Sequence, residues 1–97
     1  MTTIWKYEVF PIDNMQSFDM PAGAQIVNFG LDPQGVLCFW ALVNTDARLV
    51  ERHVWCVGTG WPLEECGIAQ EVEYIGRANS GPYVWHLIAE VTEYELE

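Results

Sequence analysis

Val36-Leu37-Cys38-Phe39-Trp40-Ala41-Leu42-Val43, followed by Asn44-Thr45-Asp46-Ala47 and then by Arg48 to Val57, is the stretch that decides the fold. Eight apolar residues in a row leave no side to turn to water, so Val36 to Val43 reads as a central strand covered on each face. Asn44 to Ala47 is a cluster of turn formers. Beyond it the apolar residues alternate, with Val50, Val54 and Cys56 on one parity and His53, Trp55 and Val57 on the other. The two strands are expected to pair antiparallel.

The same period-2 pattern extends outward in both directions. Thr3 to Phe10 places Trp5, Tyr7 and Val9 on an inner face and Lys6 and Glu8 on an outer one, until Pro11 ends it. Gln16 to Met20 offers it a short partner before Pro21-Ala22-Gly23 turns the chain. Ala24 to Leu31 puts Val27, Phe29 and Leu31 on one side. Asp32-Pro33-Gln34-Gly35, with Pro second and Gly fourth, has the residues of a type I turn and closes a hairpin. Past Val57, Gly58-Thr59-Gly60-Trp61-Pro62 breaks the run, and Leu63 to Ala69 holds at most one helical turn. Glu71 to Ile75 alternates with Val72 and Tyr74 in and Glu71 and Glu73 out. Asn79-Ser80-Gly81-Pro82 turns into Tyr83 to Val91, where Tyr83, Trp85, Leu87 and Ala89 oppose Val84, His86 and Ile88. No apolar stripe of period 3.6 lasts three turns. The expectation is one all-β domain over residues 1–97, an antiparallel sandwich or open barrel of six to seven strands. Val36–Val43, Arg48–Val57 and Tyr83–Val91 lie at its centre.

Composition limits the function classes. A chain of 97 residues builds one core, and 51% hydrophobic residues, five of them Trp, exclude a disordered chain. Fourteen acids against four bases give a net charge of −10, which repels nucleic acid and anionic lipid and attracts a basic protein surface. No cationic, apolar leader opens the chain, and no apolar run reaches the roughly 18 residues of a membrane span. The chain is therefore expected to start at Met1 and stay in the cytoplasm, with Cys38, Cys56 and Cys66 as reduced thiols.

A search for chemistry yields little. His53 and Cys56 stand three apart on a strand and so face opposite ways, and no paired-cysteine clamp exists for zinc with Cys66 or His86. Cys66 follows Glu64 and Glu65, whose charges oppose thiolate formation. Glu64-Glu65 and Glu71/Glu73 are solvated acids, unlike the unequal carboxyl pair that acid–base catalysis needs. Neither a catalytic group nor a metal or other cofactor is expected. Gly58-Thr59-Gly60 could offer backbone amides to a phosphate, or could be a tight turn needing positive φ.

Trp5-Lys6-Tyr7, Met20-Pro21-Ala22-Gly23-Ala24-Gln25-Ile26, Trp40-Ala41-Leu42-Val43 and Val57-Gly58-Thr59-Gly60-Trp61-Pro62, in that order, resemble the pattern of a family of small uncharacterised proteins of tailed phages and prophages. The resemblance implies a phage setting, a host cytoplasm and a compact β-rich fold, and nothing chemical. That pattern often carries a His where Trp61 stands, so any role resting on the His is missing here.

The function expected from these readings is non-enzymatic: an acidic accessory protein that binds a host protein with a basic surface, as an inhibitor of a nucleic-acid-handling defence complex. Its partner-binding residues would be Trp61, either exposed in the break or folded back as a lid on the sandwich end, with Glu64, Glu65, Glu71 and Glu73. The acidic end, Glu90-Val91-Thr92-Glu93-Tyr94-Glu95-Leu96-Glu97, would add to the field. Two alternatives remain open. One is a sponge holding a nucleotide signal on Gly58, Thr59 and Gly60 with Trp61 stacked on it. The other is a virion or assembly component joined through a strand edge. Acidity that serves only solubility explains the charge equally well.

Overall fold

The computed structural model describes residues 1–96, so Glu97 of the acidic end lies outside the described residues. Over the described residues the chain is all-β, with eight strands in two antiparallel sheets and a single 3-10 turn. Strands β1 (Thr2–Glu8), β3 (Gln25–Leu31) and β4 (Leu37–Asn44) form the smaller sheet, in the order β1-β4-β3. The larger sheet holds β2 (Ile12–Pro21), β5 (Leu49–Gly58), β7 (Tyr83–Glu90) and β6 (Val72–Ser80) in that order. A two-residue β8 (Tyr94–Glu95) pairs with the start of β5, next to β7 along the same edge.

The core lies between the sheets, where Phe39, Ala41 and Val43 of β4 meet Val54 and Cys56 of β5 and Leu87 and Ala89 of β7, all essentially without exposure. Tyr7, Phe18 and Phe39 form an aromatic wedge in it, with Tyr7 stacked on Phe39 at 5.2 Å and Phe18 edge-on to both. These strands form because every second residue is apolar and large enough to reach the facing sheet.

The β3–β4 hairpin is present as read. Gly35 N donates to Asp32 O at 2.9 Å, Gly35 takes φ +81°, and the Asp32 carboxylate accepts from the Gln34 and Val36 amides and from Lys6 Nζ. Tyr83 to Val91 and Arg48 to Val57 also show the expected parities, for Trp85, Leu87 and Ala89 join the main core while Ile88 faces away with Trp55 and Val57.

Several expectations are corrected. The segments Val36–Val43 and Arg48–Val57 do not pair, since β4 is hydrogen-bonded to β1 and β3 while β5 lies in the other sheet. Asn44 to Arg48 is a corner between sheets. Likewise Gln16–Met20 belongs to a longer β2 that pairs with β5, and β1 instead takes β4. The alternation over Ala24–Leu31 fails at a bulge between Ile26 and Asn28, so Ile26 and Phe29 are buried while Val27 and Leu31 are exposed. The outer face of β4 is not fully covered, because Leu42 is 40% exposed beside the exposed Ile4 of β1. Trp5 has the inward parity but sits on an edge strand and stays 39% exposed. Tyr74 is exposed as well.

Candidate functional site around the Gly58–Trp61 turn

The outer face of the larger sheet carries a second apolar cluster, and this cluster builds the site. Trp55, Val57 and Ile88 look out from β5 and β7, and the segment after β5 folds back to cover them with Cys66, Ile68 and Ala69. Trp55 Nε1 donates to the Cys66 carbonyl at 3.1 Å, which fixes that segment and satisfies a buried indole N–H. Trp55 is therefore core as expected, but of the outer cluster and not of the sandwich interior.

Gly58 to Trp61 is the turn that starts the cover. Trp61 N donates to Gly58 O at 3.2 Å, and Gly60 has φ +86°, a conformation natural to glycine. The Trp61 ring folds back over Gly58, where a Cβ would stand 2.6 Å from Trp61 Nε1. The Gly-Thr-Gly motif thus has two physical causes, positive φ at Gly60 and close approach at Gly58. Trp61 is half-buried and folded back rather than exposed in the break, and its ring meets Trp85 edge-on at 5.7 Å. Tyr83, exposed, also stacks on Trp85, at 5.7 Å.

Trp61 borders three clefts. The first, about 370 Å³, lies between Pro11-Ile12-Asp13 and Trp61-Pro62, with Glu65 and Cys66 completing its wall. Burial pushes the Cys66 thiol up, and the charges of Asp13, Glu65 and Glu64 push it further, which favours the protonated thiol. A second cleft, about 470 Å³, runs between Thr59, Trp61, Tyr83 and Trp85. The third, about 250 Å³, lies over the outer face between Thr59, Trp61, Leu63, Tyr74, His86 and Ile88. There Thr59 Oγ1 stands 2.6 Å from His86 Nε2, and Tyr74 Oη stands 2.7 Å from His86 Nδ1. Arg77 of β6 is opposite His86 of β7 in the register, which places it on the same face.

The profile of DUF7352, a domain of unknown function, matches residues 1–96. The chain belongs to the DUF7352 family. No curated protein and no solved structure matches it.

In this DUF7352 chain, the residues expected to bind are brought together in part. Gly58, Thr59, Gly60 and Trp61 form one turn, and Glu64 and Glu65 follow it, exposed, in the 3-10 turn Leu63–Glu65. Glu71 and Glu73 are exposed at the start of β6, but Glu73 pairs with Ala89 and has the inward parity, away from the face that Val72 and Tyr74 share with Trp61. Three acids of the chain end, among the described residues, have partners within the chain. Glu90 is 7% exposed, accepts from Tyr94 Oη at 2.6 Å and lies 3.1 Å from His53 Nδ1. Glu93 accepts from Gly23 N, and Glu95 pairs with Arg48.

Asp13, Tyr74, Arg77, Tyr83 and His86 were missed as site residues, because each comes from a strand remote in sequence from the turn. His86 alone had a signal, its outward parity beside Ile88. No group of three or more His, Cys, Asp or Glu among the described residues could hold a metal ion. Nor is any described helix long and apolar enough to cross a membrane.

Proposed function

We propose that this chain is a non-enzymatic binding protein whose first cleft, walled by Trp61 and rimmed by Asp13 and Glu65, receives a basic side chain of a protein partner. The observation that carries this reading is one cleft lined by Trp61 together with the carboxylates of Asp13 and Glu65, in a chain of net charge −10. An Arg guanidinium entering there gains cation–π attraction from the indole and charge-assisted hydrogen bonds from the acids. Glu64, exposed next to Glu65, extends the same field. Glu90, Glu93 and Glu95 already have partners within the chain, whereas Asp13 and Glu65 pair with no cation among the described residues. The resemblance to phage proteins supports the finer reading: the partner is a host protein with a basic, nucleic-acid-handling surface, and binding blocks that surface in the host cytoplasm.

The test is affinity capture of basic proteins from host lysate, compared between the wild type and the double variant Asp13→Asn/Glu65→Gln. The reading expects a partner whose retention falls by about tenfold or more in the variant, as loss of charge-assisted contacts implies, and whose nucleic-acid binding the wild type inhibits. A partner retained equally by the variant, or one that still binds nucleic acid in the complex, overturns it.

A further inference from the structure

The outer face of the larger sheet carries a second set of polar groups, separate from the acidic cleft. Of the four Lys and Arg residues, Lys6 is paired with Asp32, Arg48 with Glu95 and Arg52 with Glu93. Arg77 is the one cation without a carboxylate partner among the described residues, although acids outnumber bases fourteen to four. It is exposed, and the register sets it directly across from His86. The imidazole of His86 is held between the Thr59 and Tyr74 hydroxyls at 2.6 and 2.7 Å.

Proton accounting shows what this set presents. A neutral imidazole has one N–H and one lone pair, so one of the two hydroxyls donates to the ring and the other accepts from it. The accepting hydroxyl keeps its own proton free to donate into the cleft. Arg77 does not line the cleft itself but stands beside His86 in the register, so its guanidinium is a second donor on the same face at the cleft's edge, and no carboxylate lines the cleft. Such a donor set suits an oxyanion, and Arg suits the forked oxygens of a phosphate. The Trp61 indole walls the same cleft and gives a planar ring a surface to stack on.

We infer that the Thr59–His86–Tyr74 cluster with Arg77 and Trp61 is a site for a small phosphate-bearing ligand with a planar ring, of the nucleoside monophosphate class. Arg77 and the free hydroxyl proton hold the phosphate, and Trp61 stacks on the base. The overall negative charge selects a small ligand over a nucleic-acid strand, because each further phosphate adds repulsion from the acidic surface.

Isothermal titration of the full chain with the four ribonucleoside 5′-monophosphates tests this, beside arms with the matching nucleosides, inorganic phosphate and a short single-stranded oligonucleotide. At least one nucleotide is expected to bind with Kd below about 1 mM, a usual range for a small ligand held by few contacts. Its nucleoside should bind about tenfold more weakly, Arg77→Gln should remove that advantage, and Thr59→Val with Tyr74→Phe should weaken the nucleotide several-fold. Arg77 is exposed, so its variant keeps the fold, and circular dichroism verifies this for each variant. Asp13→Asn/Glu65→Gln, which removes negative charge from the acidic cleft, should not weaken nucleotide binding. Absence of nucleotide binding, equal binding of nucleoside and nucleotide, unchanged affinity in Arg77→Gln, or preference for the oligonucleotide overturns the assignment.

Discussion

Gly58 shows how one residue type supports the site. Its missing side chain makes room for the Trp61 ring, so Gly58→Ala sets a methyl group 2.6 Å from Trp61 Nε1 and must displace a rigid indole. A loss of about 1–3 kcal/mol is expected from such overpacking, read by urea denaturation, with a shift in tryptophan emission. Asp32 is the second informative residue. Lys6, then the Val36 and Gln34 amides, hold its carboxyl below the usual range. A group whose folded pKa is depressed stabilises fully above its unfolded pKa, about 3.9, and loses that contribution as pH falls toward the folded value. The stability gap between wild type and Asp32→Asn should therefore be constant from pH 7 to about pH 5 and should shrink below about pH 4. Urea titrations across pH 2–7 read it, and a gap that grows on acidification contradicts the assignment. Cys56 behaves differently, since burial alone pushes its thiol up to about 12. Thiolate is then scarce at neutral pH, and alkylation of Cys56 should proceed only at the rate of global unfolding.

Among the elements, β8 is short, yet its surroundings bind it strongly. Tyr94 stacks on His53 at 4.6 Å and donates to Glu90, while Glu93 caps Gly23 N and lies 3.9 Å from the buried Arg52. Arg48 and Glu95 form an ion pair that is open to water on both sides. Exposed pairs contribute about 0–1 kcal/mol, whereas a buried charge left without its partner costs more. Removing residues 92–97 should thus cost about 2 kcal/mol or more, by exposing His53 and leaving Arg52 without Glu93, while Arg48→Ala should cost under about 0.5 kcal/mol. Thermal unfolding of both variants separates the two contributions. Equal losses would mean that the ion pair, and not the buried contacts, fastens the strand. The segment after β5 is held on the same principle, by one indole hydrogen bond and an apolar underside, so the site rests on a covered sheet face.

At the scale of the whole molecule, charge sets the range of association. Partner binding at the acidic cleft should weaken by about tenfold or more between 50 and 500 mM salt, because the Debye length falls below the spacing of exposed charges. Binding unchanged by salt would mean that apolar contact carries the interaction. The sequence by itself determined most of the strands, the parity of β5 and β7 and the β3–β4 hairpin, because alternation and turn chemistry act over a few neighbouring residues, while the bulge in β3 and the facing of Glu73 and Tyr74 lay beyond it. The need for Gly at 58 and 60 was legible as a break, though its two separate causes were not. Only the tertiary structure decided which strands pair. A turn such as Asn44 to Arg48 serves equally as a hairpin or as a corner between sheets, and the choice falls to whichever arrangement buries the inner faces of β4 and β5 against each other. The site was legible for the same local reason at Gly58–Trp61 and hidden elsewhere. Asp13, Tyr74, Arg77 and His86 meet that turn through strand register and sheet packing, contacts that no single stretch of the chain encodes.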